Sequence, residues 1–258
     1  MKISIITAAY NSAATLGDTM RSVLSQSYED WEHIVVDGGS KDGSVELIRE
    51  MEPQYGGRLR WVSEPDRGIY DAMNKGIAMA TGDVVGILNS DDFYTASDIL
   101  ERVAKEMEAD EGIDAVYGDI HFVNDADLDR CVRYYSSKGF RRWKMWMGYQ
   151  PAHPSFYCRR RVYEQIGGFD TAFKVGADFE HLLRSIYVNR INVRYIPLDF
   201  VTMRTGGAST SGVGSYMTII RDKVKAFRKH GKRWVYLTIW MCYPSKIMEV
   251  LLPKRNIK

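Results

Sequence analysis

Residues 82–94 read GDVVGILNSDDFY. A short apolar run, Val84 to Leu88, delivers the chain to two adjacent carboxylates, Asp91 and Asp92. Short apolar runs bounded by turn residues read as buried strands. Two like charges side by side repel, and a water-poor cleft does not favour them unless a proton or a cation joins them. The stretch therefore predicts a buried strand whose carboxyl end presents an acidic pair.

The same pattern recurs upstream. KISIITAAY (2–10), WEHIVVDGG (31–39) and RLRWVSEP (58–65) are β-rich runs ending in polar or glycine-rich turns. Between them, apolar residues recur at helical spacing: Leu16, Met20, Val23 and Leu24; then Val45, Leu47, Ile48 and Met51, stopped by Pro53; then Ile69, Met73, Ile77 and Ala80. Alternation with short connections predicts an α/β fold, with a mostly parallel central sheet covered by helices on both faces. Ligands of such sheets sit beyond the carboxyl ends of the strands, which is where Asp37, Asp91 and the residues after Thr7 fall.

After Met107 the pattern changes. DAVYGDIHFVN and RCVRYY predict an antiparallel hairpin around NDADLD. Asp125, Asp127 and Asp129 imitate the start of a calcium loop, but Arg130 and Ser136 stand where such a loop needs glycine and glutamate. An aromatic-basic stretch, FRRWKMWMGY, follows, then a helical pattern around DFEHLLRSIY, strand-like VRYIP and DFVTMR, and the glycine-rich TGGASTSGVG. The last forty residues read as helical and basic.

Composition sets the remaining bounds. The 258 residues are 45% hydrophobic and 26% charged, an ordinary globular balance. Cys131, Cys158 and Cys242 form neither a disulfide framework nor a CxxC site, so a reducing cytoplasm is the expectation. No signal peptide is visible, and no stretch reaches the ~20 apolar residues that span a bilayer. The net charge of +2 hides an asymmetry: residues 221–258 hold eleven Lys/Arg against Asp222 and Glu249, a net +9, so residues 1–220 carry −7. A basic tail of this kind predicts an anionic partner. Its aromatics, Trp234, Tyr236, Trp240 and Tyr243, suit a lipid headgroup layer, so peripheral docking of residues 221–258 on an anionic membrane is weighed against packing on the rest of the chain or on a second subunit.

The turn after the first strand, TAAYNSAAT, lacks the GxGxxG of a dinucleotide fold, and no P-loop, HExxH or GxSxG is present. The pieces SIITAAYN, VVDGGSKDGS, SEPDRGIYDAMNKGIAMATGD, GILNSDDFY, HPSFYCRR, IGGFD and GADFEHLLR, in this order, resemble the inverting glycosyltransferases of family 2. The block SEPDRGIYDAMNKG looks most like the branch that builds cell-surface polysaccharides. The resemblance covers roughly residues 1–210 and implies a GT-A nucleotide-sugar fold. It divides the chain into a nucleotide-binding half (1–95), an acceptor half (96–210) and a basic, aromatic helical extension (211–258). Two departures stand out: Gly38 occupies a position where many members carry a second acid, and Asn89 and Ser90 precede the acidic pair in place of a strict Asp-x-Asp.

What the resemblance implies for the residues is specific. Asp91 and Asp92 would meet a Mg²⁺ or Mn²⁺ ion that bridges carboxylates to the donor diphosphate, with Asp91 also near the ribose. The bland alternative is that Ser-Asp-Asp caps the helix beginning near Ser97. Asp37 would accept the N–H of a uracil-like base, or merely shape the turn before Gly38 and Gly39. Thr7, Ala9 and Tyr10 would frame the base, largely through main-chain groups. Asp66 and Arg67 would reach the nucleotide, although Arg67 has a competing use in pairing with a surface acid. Asn74 would brace the loop before Asp91. Asp178 would be the catalytic base, its place at a helix start favouring the carboxylate form, with an ordinary N-cap as the alternative. Glu180 is the fallback base on the acceptor side, which His153 would line. RTGGAST would close over the donor.

The expected activity is transfer of one sugar, with inversion, from a nucleotide-diphosphate sugar, most simply a UDP-sugar, to a glycan acceptor. A lipid-linked acceptor at the inner membrane face would fit the basic aromatic segments. No nucleic-acid partner is expected. Rival readings are a non-catalytic nucleotide- or glycan-binding module on the same fold, and a sugar nucleotidyltransferase, whose glycine- and arginine-rich first loop is missing here.

Overall fold

The computed structural model describes residues 1–206 and 213–231. The first half is built from β1 (Ile3–Ala9), α1 (Ala13–Leu24), β2 (Trp31–Asp37), α2 (Ser44–Met51), β3 (Leu59–Ser63), α3 (Ile69–Met79) and β4 (Val84–Ile87). The second half holds β5 (Phe93–Tyr94), α4 (Ile99–Glu108), β6 (Ala115–Asn124), β7 (Asp127–Tyr135), β8 (Tyr157–Arg159), α5 (Arg160–Ile166), α6 (Ala177–Leu182), β9 (Val193–Arg204) and α7 (Val213–Lys229). The sheet runs β3-β2-β1-β4-β8-β6-β9-β5, with β7 hydrogen-bonded to β6. β1 to β4 are mutually parallel, as are β6 and β9, whereas β8, β7 and β5 run against their neighbours.

This is the mixed, mostly parallel α/β sheet that the alternation predicts, and its cause is visible in burial. Every residue of β1 and β2 is buried, because helices cover both faces and the strands must be apolar throughout. One core cluster holds Ile6, Ile34, Val36 and Met73; the other holds Ile3, Ile5, Leu16, Ile48 and Leu88. α3 lies so close to the sheet that a Cβ on Gly76 would stand 2.3 Å from Ile6 Cγ2. Only glycine admits that approach.

The chain moves outward from β1 to β2 and β3, then returns to β4 on the other side of β1. Strand order thus reverses between β1 and β4, and sheets of this kind take their ligands beyond the carboxyl ends of the strands at such a point. Parallel register sets Ala9 beside Asp37 and Asp37 beside Ser63 at this rim. The hairpin of β6 and β7 forms as read, with Asn124 opposite Asp127 at its turn. VRYIP and DFVTMR are one continuous strand, β9, rather than two.

Buried polar groups fasten the two ends of this half-sheet. At the amino-terminal edge, Glu32 accepts bonds from Ser4 Oγ (2.7 Å), Thr81 N (2.6 Å) and Lys2 Nζ (3.1 Å). Burial alone would raise its pKa, but these donors outweigh it and hold the carboxyl at about 2. Nearer the rim, His33 sits between Thr7 Oγ1 and Tyr55 Oη, 2.9 Å from each. Burial pushes this imidazole down to about 3, so it is neutral.

Of the basic C-terminal segment, residues 221–231 fall within the described structure, and several of its cations serve the fold. Lys223 Nζ donates to Gly148 O (2.7 Å) and Lys225 Nζ to Ala172 O (2.6 Å), while Phe227 is buried in the main core. The expectations for residues 232–258 and for most of RTGGAST lie outside the described residues.

Candidate active site

The rim begins with Asp37. Its Oδ2 accepts the amides of Gly39 and Ser40, both at 3.0 Å, and the Ser63 hydroxyl at 2.6 Å; its Oδ1 accepts the Ser40 hydroxyl. The carboxylate thus folds the GGSKDGS loop back on itself. That loop in turn serves α1: Asn11 N donates to Ser40 Oγ (2.7 Å), Ser12 N to Ser44 Oγ (2.9 Å) and Ala13 N to Asp42 Oδ2 (2.9 Å). The first amides of a helix have no partner within it, so the second motif caps the helix that follows the first.

The Thr7 side chain serves the fold, which leaves only its main chain for the expected framing of the base. It is fully buried and donates to Leu88 O (2.8 Å), which fastens the ends of β1 and β4 together at the rim. Ala9 is also buried, its carbonyl taken by Gly38 N (2.9 Å). Tyr10 is the open member of the trio, 65% exposed, with its ring against Gly38. Asp66 stands on the other side of Gly38 and accepts the Gly68 amide through Oδ1 (2.7 Å). Arg67 pairs with Asp71 at 2.9 Å on an exposed helix turn, the competing use weighed above.

Asp91 and Asp92 follow β4 as read. Asp92 is 0% exposed; its Oδ2 accepts Asn89 Nδ2 (2.9 Å), while its Oδ1 is buried without a hydrogen-bond partner. Burial first, and then the charge of Asp91, push the Asp92 carboxyl well above the usual carboxylate range. Burial also raises Asp91, opposed by Arg204. Among the described residues no three His, Cys, Asp or Glu side chains gather into a closed metal cage. An orphaned buried oxygen beside a second carboxylate nevertheless fits a hard divalent cation, which keeps most of its shell for waters and substrate phosphates.

Sequence reasoning missed Arg204. At the end of β9 its guanidinium is clamped by Asp18 of α1 and by Asp125 of the β6–β7 turn (3.0 Å), and its field lowers both members of the acidic pair. These acids lie 186 and 79 residues away in sequence, so no local pattern could have announced the cluster.

The third group is Asp178, half-buried at the second residue of α6. α3 ties it to the rim. Tyr70, one turn from Asp66, donates its hydroxyl to Val175 O, and Asn74 exchanges bonds with Phe169, Nδ2 to O at 2.8 Å and N to Oδ1 at 2.7 Å. Asn74 is therefore a brace, but of the GGFD loop and not of the loop before Asp91. His153 is buried against the Phe169 ring; burial lowers its pKa while Asp178 opposes that shift, which marks the two as electrostatic neighbours.

Glu180 is not placed to act as a base. It is 0% exposed and bound by Arg184 (3.1 Å), Lys229 Nζ (2.9 Å) and His230 Nε2 (2.9 Å). Burial pushes its carboxyl up, but the bonds from His230, Arg184 and Lys229 prevail and hold it at about 2.

The family model described as Glycosyl transferase family 2 matches residues 4–176. The chain belongs to glycosyltransferase family 2. An uncharacterized glycosyltransferase of Mycobacterium tuberculosis (strain H37Rv) is 34% identical over 221 residues, 83% of this chain and 77% of that one. A PGL/p-HBAD biosynthesis glycosyltransferase of Mycobacterium bovis is 31% identical, over 75% of this chain and 73% of that one. In fold, this glycosyltransferase is similar to S. aureus TarS 1-349 in complex with UDP-GlcNAc (TM-score 0.68, 17% identity, 88% of this chain and 66% of that one). It is also similar to the mannosyltransferase PcManGT from Pyrobaculum calidifontis in complex with GDP-Man and Mn²⁺ (TM-score 0.66, 20% identity, 98% and 76%). The enzyme thus has the GT-A architecture.

Proposed function

We propose that this glycosyltransferase moves one sugar, with inversion, from a nucleotide-diphosphate sugar to a glycan acceptor. The observation that carries the reading is one rim bearing the Asp91–Asp92 pair beyond β4 and, tied to it through Tyr70, Asp178 at the start of α6. Asp178 takes the acceptor hydroxyl proton as that oxygen attacks the anomeric carbon, and the buried neutral His153 lines the acceptor side. Asp91 and Asp92 would hold a Mg²⁺ or Mn²⁺ ion, which when bound supplies Lewis-acid stabilisation of the departing diphosphate. Tyr10 offers an open ring to the base, while Asp37 and Asp66 shape the turn against which the base lies. A UDP-sugar is the simplest donor. TarS and PcManGT, with UDP-GlcNAc and GDP-Man, show that the fold admits two bases.

Polysaccharide assembly at the inner membrane face belongs to the same reading, with residues 1–95 serving the donor, 96–210 the acceptor and 211–258 the docking. Among the described residues no helix is long and apolar enough to cross a membrane. Support for surface docking comes from Trp143, 60% exposed beside Lys144, in the aromatic-basic stretch that leads to His153.

Product analysis tests the proposal. Purified protein incubated with a panel of UDP- and GDP-sugars, Mn²⁺ and a glycan acceptor should release nucleoside diphosphate, with the new linkage of opposite anomeric configuration by NMR. Pyrophosphate release would indicate a nucleotidyltransferase; binding without turnover, a non-catalytic module; retained configuration would end the inverting mechanism.

A further inference from the structure

α6 begins with backbone amides that need partners from outside the helix. Two amides immediately ahead of it are answered by α7. Asp222 Oδ2 accepts Val175 N at 3.2 Å and Gly176 N at 3.0 Å. The approach is so close that a Cβ on Gly176 would stand 2.7 Å from Asp222 Cβ. On the same stretch, Tyr70 of α3 donates to the carbonyl of Val175. Residue 175 is therefore held at both its N–H and its C=O, by two different helices, three positions before Asp178.

α7 grips the rest of this segment at further points. Lys225 Nζ donates to Ala172 O (2.6 Å), and Lys229 Nζ reaches Asp170 Oδ2 (2.8 Å) and Glu180 Oε1 (2.9 Å). Beneath them Phe227, fully buried, meets Phe179 edge to face with centroids 5.5 Å apart. Phe179 and Glu180 turn toward α7 and the core, while Asp178 between them stays half open. The segment 170–180 is thus lashed to α7 along its length: Asp222 holds the amides of residues 175 and 176, while the Tyr70 hydroxyl faces the amides of Ala177 and Asp178 that follow.

We propose that Asp222 is a positioning residue for Asp178: by holding the amides of residues 175 and 176, it fixes the backbone from which the Asp178 carboxylate meets the acceptor hydroxyl. This rests on the reading of Asp178 as the base. A general base works only within hydrogen-bond reach of its proton, and misplacement by about 1 Å can cost on the order of 10²-fold in rate. α7 is then part of the catalytic unit and not an appendage to it. The carbonyl oxygen of an asparagine can accept the same two amides, whereas alanine cannot.

The test uses the full chain with three substitutions, measuring kcat, donor Kd by calorimetry, and Tm. Asp222→Ala should lower kcat roughly 10- to 100-fold with donor Kd unchanged, and Asp222→Asn should restore kcat to within about threefold of wild type. Asp178→Asn serves as the reference: if it leaves transfer intact, the base reading falls and this inference falls with it. If Asp178→Asn abolishes transfer while Asp222→Ala keeps wild-type kcat, only the positioning role is overturned. Equal losses in the Ala and Asn variants that track Tm would also overturn it, since they would mark a purely structural residue. Should Asp222→Ala fail to fold, Gly176→Ala presses on the same contact from the other side. A kcat loss there with unchanged donor Kd supports the role, and unchanged kcat removes it.

Discussion

The Asp66 carboxylate lies against the backbone of Gly38, so close that a Cβ at Gly38 would stand 2.5 Å from Asp66 Oδ2. The Tyr10 ring approaches the same point to 3.2 Å. Three stretches of the rim, one from each of the turns after β1, β2 and β3, thus meet at one glycine, and a carboxylate supplied from the third turn fills the space that a second acid at position 38 would occupy.

Gly38→Ala should therefore displace Asp66 and Tyr10 together. Expected is a loss of nucleotide affinity of about tenfold with Tm reduced by only a few degrees, because the site is at the surface and a core is not disturbed. Asp66→Ala should weaken binding as well, and the double variant should lose less than the sum, as contacting residues do. Calorimetric titration of UDP into the four proteins decides it; fully additive losses would mean that the contact carries no binding energy.

Asp92 sets stability against function. A buried carboxylate whose pKa is raised on folding destabilises the folded state once the pH exceeds its unfolded value, and the loss grows until the folded value is passed. Asp92→Asn removes the buried charge while keeping the shape. In the absence of cation and donor this variant should melt higher than wild type; Mn²⁺ with UDP should raise the melting temperature of the wild type and not that of the variant. A lower melting temperature in both conditions would contradict the role assigned to the orphaned Oδ1.

The acid limb of stability follows from Glu32 and Glu180, both held at about 2 against an ordinary 4.5. A depressed carboxylate contributes stability that is fully present above about pH 4.5 and drains away as the pH falls toward 2. At about 1.4 kcal/mol per unit, Glu180 is worth on the order of 3 kcal/mol at neutral pH. Glu180→Gln should melt well below wild type at pH 7, and the gap should narrow between pH 4.5 and pH 3. A gap that stays constant with pH would show that packing, and not charge, is lost.

How much of this was written locally in the chain can be judged from Asp178 and Glu180. The motif GADFEHLLR located the helix and its acids, and the strand–helix alternation placed the rim. Two positions on a helix are turned about 200° apart, so one acid had to face away from whatever the other faced. Which one stayed half open depended on Lys229 and His230, 49 and 50 residues downstream of Glu180. Thr7 shows the same limit: its hydroxyl is taken by His33 and Leu88, 26 and 81 residues away, partners that no local pattern announces. Local periodicity fixes elements and rims; partners from distant segments decide which polar side chains remain free.

Arg204 yields the last prediction. Its guanidinium is 9% exposed, held by Asp18 and Asp125, and its field keeps the acidic pair from rising further. Arg204→Gln removes that field and leaves two acids beside the pair without their cation. The Asp91–Asp92 pair should then bind its proton more tightly, so a divalent ion must displace more proton at a given pH. Mn²⁺ affinity, read by calorimetry at pH 7 with UDP present, should fall about tenfold or more and recover in part as the pH is raised. Arg204→Lys keeps the charge but not the two-armed fork that joins Asp18 to Asp125. It should retain most of the Mn²⁺ affinity while losing thermal stability. If both substitutions instead leave Mn²⁺ affinity untouched, Arg204 is a clamp between α1 and the hairpin and has no part in the electrostatics of the pair.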